Sequence, residues 1–107
     1  MLDQIPAFGG VMLLLQLSYH AQMRAKQRGI SRECVMLVSR HADRHPWVPG
    51  GACALSISDR ARHRLIACGW PPAQVERTQG VVVIADLTAA KIITVEHSLG
   101  RKRRLRP

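Results

Sequence analysis

Histidine and arginine at four-residue spacing hold the first chemistry in this chain. His20, Arg24 and Arg28 fall at i, i+4 and i+8, so on an α-helix they form one polar stripe. An imidazole can act as acid or base near neutral pH, and guanidinium forks grip successive phosphates through paired hydrogen bonds. The bland alternative is a solvated helix face. His97 ends an apolar segment just before a basic run; a histidine beside arginines suits phosphodiester chemistry, and a surface or capping histidine is the plainer reading. Arg60, His63 and Arg64 make a second basic stripe. Arg101, Lys102, Arg103 and Arg104 form a cationic tail fit to hold a nucleic-acid backbone. The working set is therefore His20, Arg24, Arg28 and His97 for catalysis, with Arg60, Arg64 and Arg101 to Arg104 for nucleic-acid binding.

The bulk charge supports that choice of partner. Of 16 basic residues 13 are Arg, against seven Asp and Glu, for a formal charge of +9 on 107 residues. Permanently charged planar groups in this excess point to a polyanion, with nucleic acid first and RNA ahead of DNA. Scattered carboxylates argue against a two-metal nuclease. His41 and His45 have the i, i+4 spacing of a metal pair, but Pro46 pushes His45 out of helical conformation. There is no phosphate-cradling glycine loop and no Ser or Cys nucleophile signature. No cofactor or metal is expected. The aromatics Phe8, Tyr19, Trp47 and Trp70 do not read as a base-stacking platform.

Elements must position these groups. An apolar content of 47% in 107 residues suits one domain with a modest core. Cys34, Cys53 and Cys68 contain no C-x-x-C pair and read as reduced core fillers of a cytoplasmic protein. The run Val11 to Leu17 is far below the ~18 residues of a membrane span and lacks the marks of a secretory signal; it reads as a buried strand. No membrane association is expected.

Residues 1–10 form a loose lead-in, residues 11–100 one domain and residues 101–107 a basic tail. Ser18 and Ser31 are helix N-cap candidates and Gly29 a terminator, so Tyr19 to Arg28 and a helix opening after Ser31 make an αα-hairpin. The first helix is weak, its apolar side limited to Ala21, Met23 and Ala25. The second carries the stronger stripe Cys34, Val35, Leu37, Val38 and Ala42.

Ala52 to Ile57 alternates like a strand. Ser58-Asp59 opens a third helix with Ala61, Leu65 and Cys68 inward, ended by Gly69, and Pro71-Pro72 starts a short one over Ala73 to Thr78. Val81 to Ile84 reads as a strand covered on both faces. Ile92 to Val95 pairs with it antiparallel, with Ile93, Val95 and His97 on one face and Ile92, Thr94 and Glu96 on the other. The expected fold class is α+β: a small antiparallel sheet with an N-terminal helical hairpin and an additional helix. An offset of 40 superposes Ser18, Ala21, Arg24, Gly29 and Val35 on Ser58, Ala61, Arg64, Gly69 and Val75. Duplication and the ordinary recurrence of helix caps both account for it.

From Ser18 onward the chain resembles a group of small bacterial domains of unknown function. The resemblance rests on Ser18-x-His20-Ala21-x-x-Arg24-x-x-x-Arg28-Gly29-Ile30, on Asp59-x-Ala61-Arg62-x-x-Leu65, and on Ile93 to His97 followed by Arg101 to Arg104. These domains are similar to the BrnT and RelE/ParE toxins of bacterial toxin–antitoxin pairs. The resemblance implies an RNase-toxin-like fold; RNA-cleaving members of that group use scattered basic residues, but activity does not follow from fold alone. The extra helix after Ser58 and the very apolar first strand depart from that pattern. The expected function is RNA binding and, if the protein is catalytic, metal-independent endoribonuclease chemistry; the alternatives are a non-catalytic nucleic-acid-binding module or a subunit docking an acidic, antitoxin-like partner. The sequence sets no oligomeric state.

Overall fold

A computed structural model describes residues 15–98; the lead-in, Val11 to Leu14 and the Arg101 to Arg104 tail lie outside the described residues. In chain order the elements are β1 (Gln16–Leu17), α1 (Tyr19–Gln27), α2 (Arg32–His41), β2 (Trp47–Val48), β3 (Ala52–Leu55), α3 (Asp59–Ala67), α4 (Pro72–Glu76), β4 (Val81–Asp86) and β5 (Lys91–His97). The fold is α+β, and its five-stranded sheet has the order β1-β5-β4-β3-β2. From β2 to β5 the sheet is antiparallel, as expected. β1 adds to the far edge in parallel, Gln16 beside Lys91 and Leu17 beside Ile92, so the sheet is mixed.

The three serine caps explain where the longer helices start. The Ser18, Ser31 and Ser58 hydroxyls accept from the amides of Ala21, Cys34 and Ala61 at 3.0, 3.1 and 3.1 Å, satisfying donors that a helix leaves orphaned. α1 and α3 stop alike. Gly29 and Gly69 take φ of 67° and 109°. The Ile30 and Trp70 amides then reach back to the carbonyls of Ala25 and Leu65 at 2.9 and 3.1 Å, which is the Schellman arrangement. α1 and α3 therefore start, run and end 40 residues apart with the same caps. Their followers α2 and α4 also begin 40 apart, and Val35 and Val75 are both fully buried.

One apolar cluster lies between the helices and one sheet face: Ala21 and Ala25 of α1, Val35, Leu37 and Val38 of α2, and Leu55, Val83, Ile92 and Val95 of the strands. Residues paired across antiparallel strands share a face, so Cys53, Leu55, Val81, Val83 and Ala85 all turn toward the helices. The opposite face of β4, Val82 and Ile84, is only half-buried; a strand covered on both sides is not what forms. Three further expectations fail locally. Met23 stays 39% exposed, because at 100° per residue it lies well away from the line through Ala21 and Ala25. Leu65 packs half-buried against the core as expected, but Cys68 is exposed because it is the C-cap, where the chain leaves the helix. Ile93 leaves the face it was assigned.

That last change comes from a β-bulge. Ile84 pairs with Thr94 and Ala85 with Ile92, so Ile93 has no opposite residue. One extra residue shifts the period-2 phase. Ile92 and Val95 both enter the core, Ile93 is pushed to 38% exposure, and His97, paired with Val81, arrives on the helix side.

Two outcomes check this packing. Gly29→Ala meets no atom near the new Cβ but strains a left-handed position, so urea unfolding should show about 1 kcal/mol of lost stability. Iodoacetamide applied to the native protein should label Cys68 well before Cys34 or Cys53, and mass spectrometry of tryptic peptides gives the order.

Candidate functional site

His97 marks the site because two concavities meet at it. The larger is an open groove of about 960 Å³ at the end of β3, β4 and β5, with Asp43, Arg44, Ser58, Arg60 and Arg62 along its walls. The smaller, about 230 Å³, lies between the α1–α2 turn and Arg77 and is bordered by Cys34 and Val81. His97 Nε2 is 3.2 Å from the carbonyl oxygen of Arg28. A carbonyl only accepts, so Nε2 carries the proton and donates it. In the neutral tautomer this leaves Nδ1 as the acceptor.

The groove wall is built from the N-terminus of α3. Arg62 is buried; its Nη1 donates to the Ile57 carbonyl at 2.9 Å and its Nη2 pairs with the Asp59 carboxylate. A buried guanidinium needs such partners, and these fix both the strand end and the helix start. Asp43 clamps the same corner, accepting from the Ser58 amide at 2.8 Å and the Ser58 hydroxyl at 2.6 Å. Burial pulls the Asp43 carboxyl upward, but the hydrogen bonds from Ser58 and its own amide, with the charge of Arg44, outweigh it and hold the group below its ordinary value. Both carboxylates are thus engaged with neighbours. Arg60 is exposed and makes no ion pair with any described residue.

The expected site residues divide accordingly. His97 and Arg60 share the groove, and Arg28 reaches His97 through its backbone carbonyl. His20 stands apart. The α1 start is tied to β5 by Ser18, whose amide donates to Ile92 O at 3.1 Å and whose hydroxyl donates to Ile93 O at 3.3 Å. The α1 end lies at His97, so the helix runs alongside β5 and His20 is about 12 Å of helix rise from Arg28. It lines neither concavity. Arg24 is half-buried; its Nη1 donates to Gln27 at 3.3 Å, and its covered Nε has no partner among the described residues. The side-on edge of its guanidinium, which grips phosphate bidentately, is therefore closed. Arg64 is exposed on α3 outside the groove. Arg101, Lys102, Arg103 and Arg104 lie outside the described residues.

Arg44, Arg62 and Arg77 were missed as site residues. The i, i+3 spacing of Asp59 and Arg62 was a visible signal for a helix-start ion pair. Nothing local marks Arg44 or Arg77. Cys34 closes the small pocket and its thiol donates to the Arg77 carbonyl at 3.4 Å. Burial pushes this thiol up, partly offset by the Arg77 charge, and burial raises Cys53 too. Both are protonated at neutral pH, so neither is a thiolate nucleophile. His41 ends α2 with its ring edge-on to Trp70, centroids 5.3 Å apart. Among the described residues no group of three His, Cys, Asp or Glu side chains is placed to hold a metal ion, and no helix is long and apolar enough to cross a membrane. Comparison with protein-family models, curated proteins and solved structures finds no match to this chain.

The Asp43 corner sets a pH dependence. A carboxyl held below its unfolded value stabilises the fold above about pH 3.9, and that contribution is lost as pH falls through the folded value. Urea midpoints of wild type and Asp43→Asn should therefore differ most near neutrality, with wild type the more stable, and converge as the pH is lowered below about 4.

Proposed function

We propose that this chain is a cytoplasmic RNA-binding protein of RNase-toxin-like fold, with the groove beside His97 as its RNA site. The observation that carries the reading is the gathering of Arg44, Arg60, Arg62 and His97, from three separate stretches of chain, along one open concavity. With Asp59 paired to Arg62 and Asp43 bonded to Ser58, Arg60 faces the groove as a cation without an ion pair among the described residues. Phosphates of an RNA strand complement it, and the +9 charge draws such a strand in.

Cleavage on this reading needs no bound ion. His97 Nδ1 removes the proton from a ribose 2′-hydroxyl. The 2′-oxygen bonds to the adjacent phosphorus and the bond from phosphorus to the 5′-oxygen breaks. The proton returns to the departing 5′-oxygen through groove water, while Arg60 and Arg44 stabilise the crowded phosphorus oxygens. His97 takes the acid–base role that the spacing of α1 had suggested for His20.

A second reading is binding without cleavage. It is favoured by the separation of His20 from His97, which leaves no second imidazole in the groove. Labelled RNA and DNA incubated with the protein in EDTA separate the two. On the catalytic reading, His97→Ala should cut RNA at least about tenfold more slowly while binding it nearly as well. Arg60→Ala should weaken binding and lower the salt slope by about one, and His20→Ala should leave cutting unchanged. Equal cutting by wild type and His97→Ala removes the assignment. Binding that falls steeply with salt, without any product, selects the second reading.

A further inference from the structure

Trp47 is out of place for a core aromatic. It is 70% exposed, and among the described residues no ring is stacked on it. It stands on β2, the outermost strand of the sheet, paired with Cys53 and bracketed by Pro46 and Pro49. Two prolines fix φ on either side, so the indole is presented from a stiff segment and loses little freedom when something stacks on it.

The same strand edge leads to the groove. Arg44, which lines it, is bridged antiparallel to Ser56. The Ala54 amide donates to the Pro46 carbonyl at 2.9 Å, and Trp47 then pairs with Cys53. Residues 44–47 are thus one extended stretch, and Trp47 is about 10 Å along it from Arg44. Pairing places Arg44 with Ser56 on one side of this edge and Trp47 with Cys53 on the other. A ligand touching both must turn around the edge within that distance. A single strand does so freely, whereas a duplex is stiff over many tens of ångströms.

We propose that Trp47 is a stacking platform for an unpaired base, and that the ligand of the groove is single-stranded RNA. The inference rests on the groove being the RNA site and adds which form of RNA it takes. The phosphate between groove and platform pairs with Arg44, while the base beyond it lies on the indole. Stacking is tolerant of base identity because every base presents a π-face, so the platform selects for strandedness and not for sequence. On this proposal one ring at the right edge suffices, where composition alone, with four scattered aromatics, argued against a stacking surface.

The test uses fluorescein-labelled oligoadenosine octamers, single-stranded or annealed to oligouridine. Anisotropy with wild type reports binding, and Trp47→Ala should weaken the single strand by about tenfold. Trp47→Phe should recover part of that loss. The duplex affinity should be unchanged by either. In Trp70→Phe, where Trp47 is the only indole, unlabelled single-stranded octamer should quench the emission and duplex should not. Circular dichroism of each variant confirms the fold. If wild type binds neither octamer form, both the RNA reading and the platform fail. If it binds RNA but Trp47→Ala matches wild type, or duplex quenches as strongly as single strand, the platform alone fails.

Discussion

The extra residue in β5 governs where the site can form. Without Ile93 looped out of register, strict alternation would carry Ile92, Thr94 and Glu96 onto one face and leave His97 on the other. With it, Ile92 and Val95 both enter the core and His97 follows them onto the helix side, opposite Val81. Core packing and site placement are therefore one constraint. Two fully buried β-branched side chains hold the phase that delivers the imidazole to the carbonyl of Arg28. A register slip would expose apolar surface at a cost of several kcal/mol, so the histidine is held by packing as much as by its own hydrogen bond.

What could be read from the residues was mostly local. Ser18, Ser31 and Ser58 as caps, Gly29 and Gly69 as stops, and the stripe from Cys34 to Ala42 depend on neighbours within four positions, and all appear as expected. The antiparallel pairing of β4 with β5 followed from two β-branched runs around a short connection. The parallel addition of β1 could not be seen, because its partner is some 75 residues away and two residues carry no pattern. The bulge was hidden for a related reason: Ile92-Ile93 offers two equivalent side chains, and only the whole core decides which enters. β2 is too short for periodicity to register.

The site shows the same division. Arg60 and His97 were legible as cationic and titratable groups, but convergence is a tertiary property. Arg44 comes from the segment after α2, Arg62 from inside α3, and His97 from the last strand. The four-residue stripe on α1 was sound as helix geometry, but α1 runs along β5, so Arg28 ends at His97 while His20 stands at the other end of the helix. Arg62 reads as one more surface cation in sequence. In the fold it is the buried strut of the groove wall, and Asp43 and Ser58 brace the corner beside it.

The edge position of β1 and the seat of α1 bear on how the polypeptide leaves the ribosome. β1 pairs with β5 and α1 packs against it, so the earliest described elements wait for the last described strand. α1 is nine residues long, too short to persist alone in water. Contacts of such long sequence separation slow folding, and β1 and α1 stay without their partner strand until β5 has formed. The described elements are committed to folding as a unit, with β5 as the keystone.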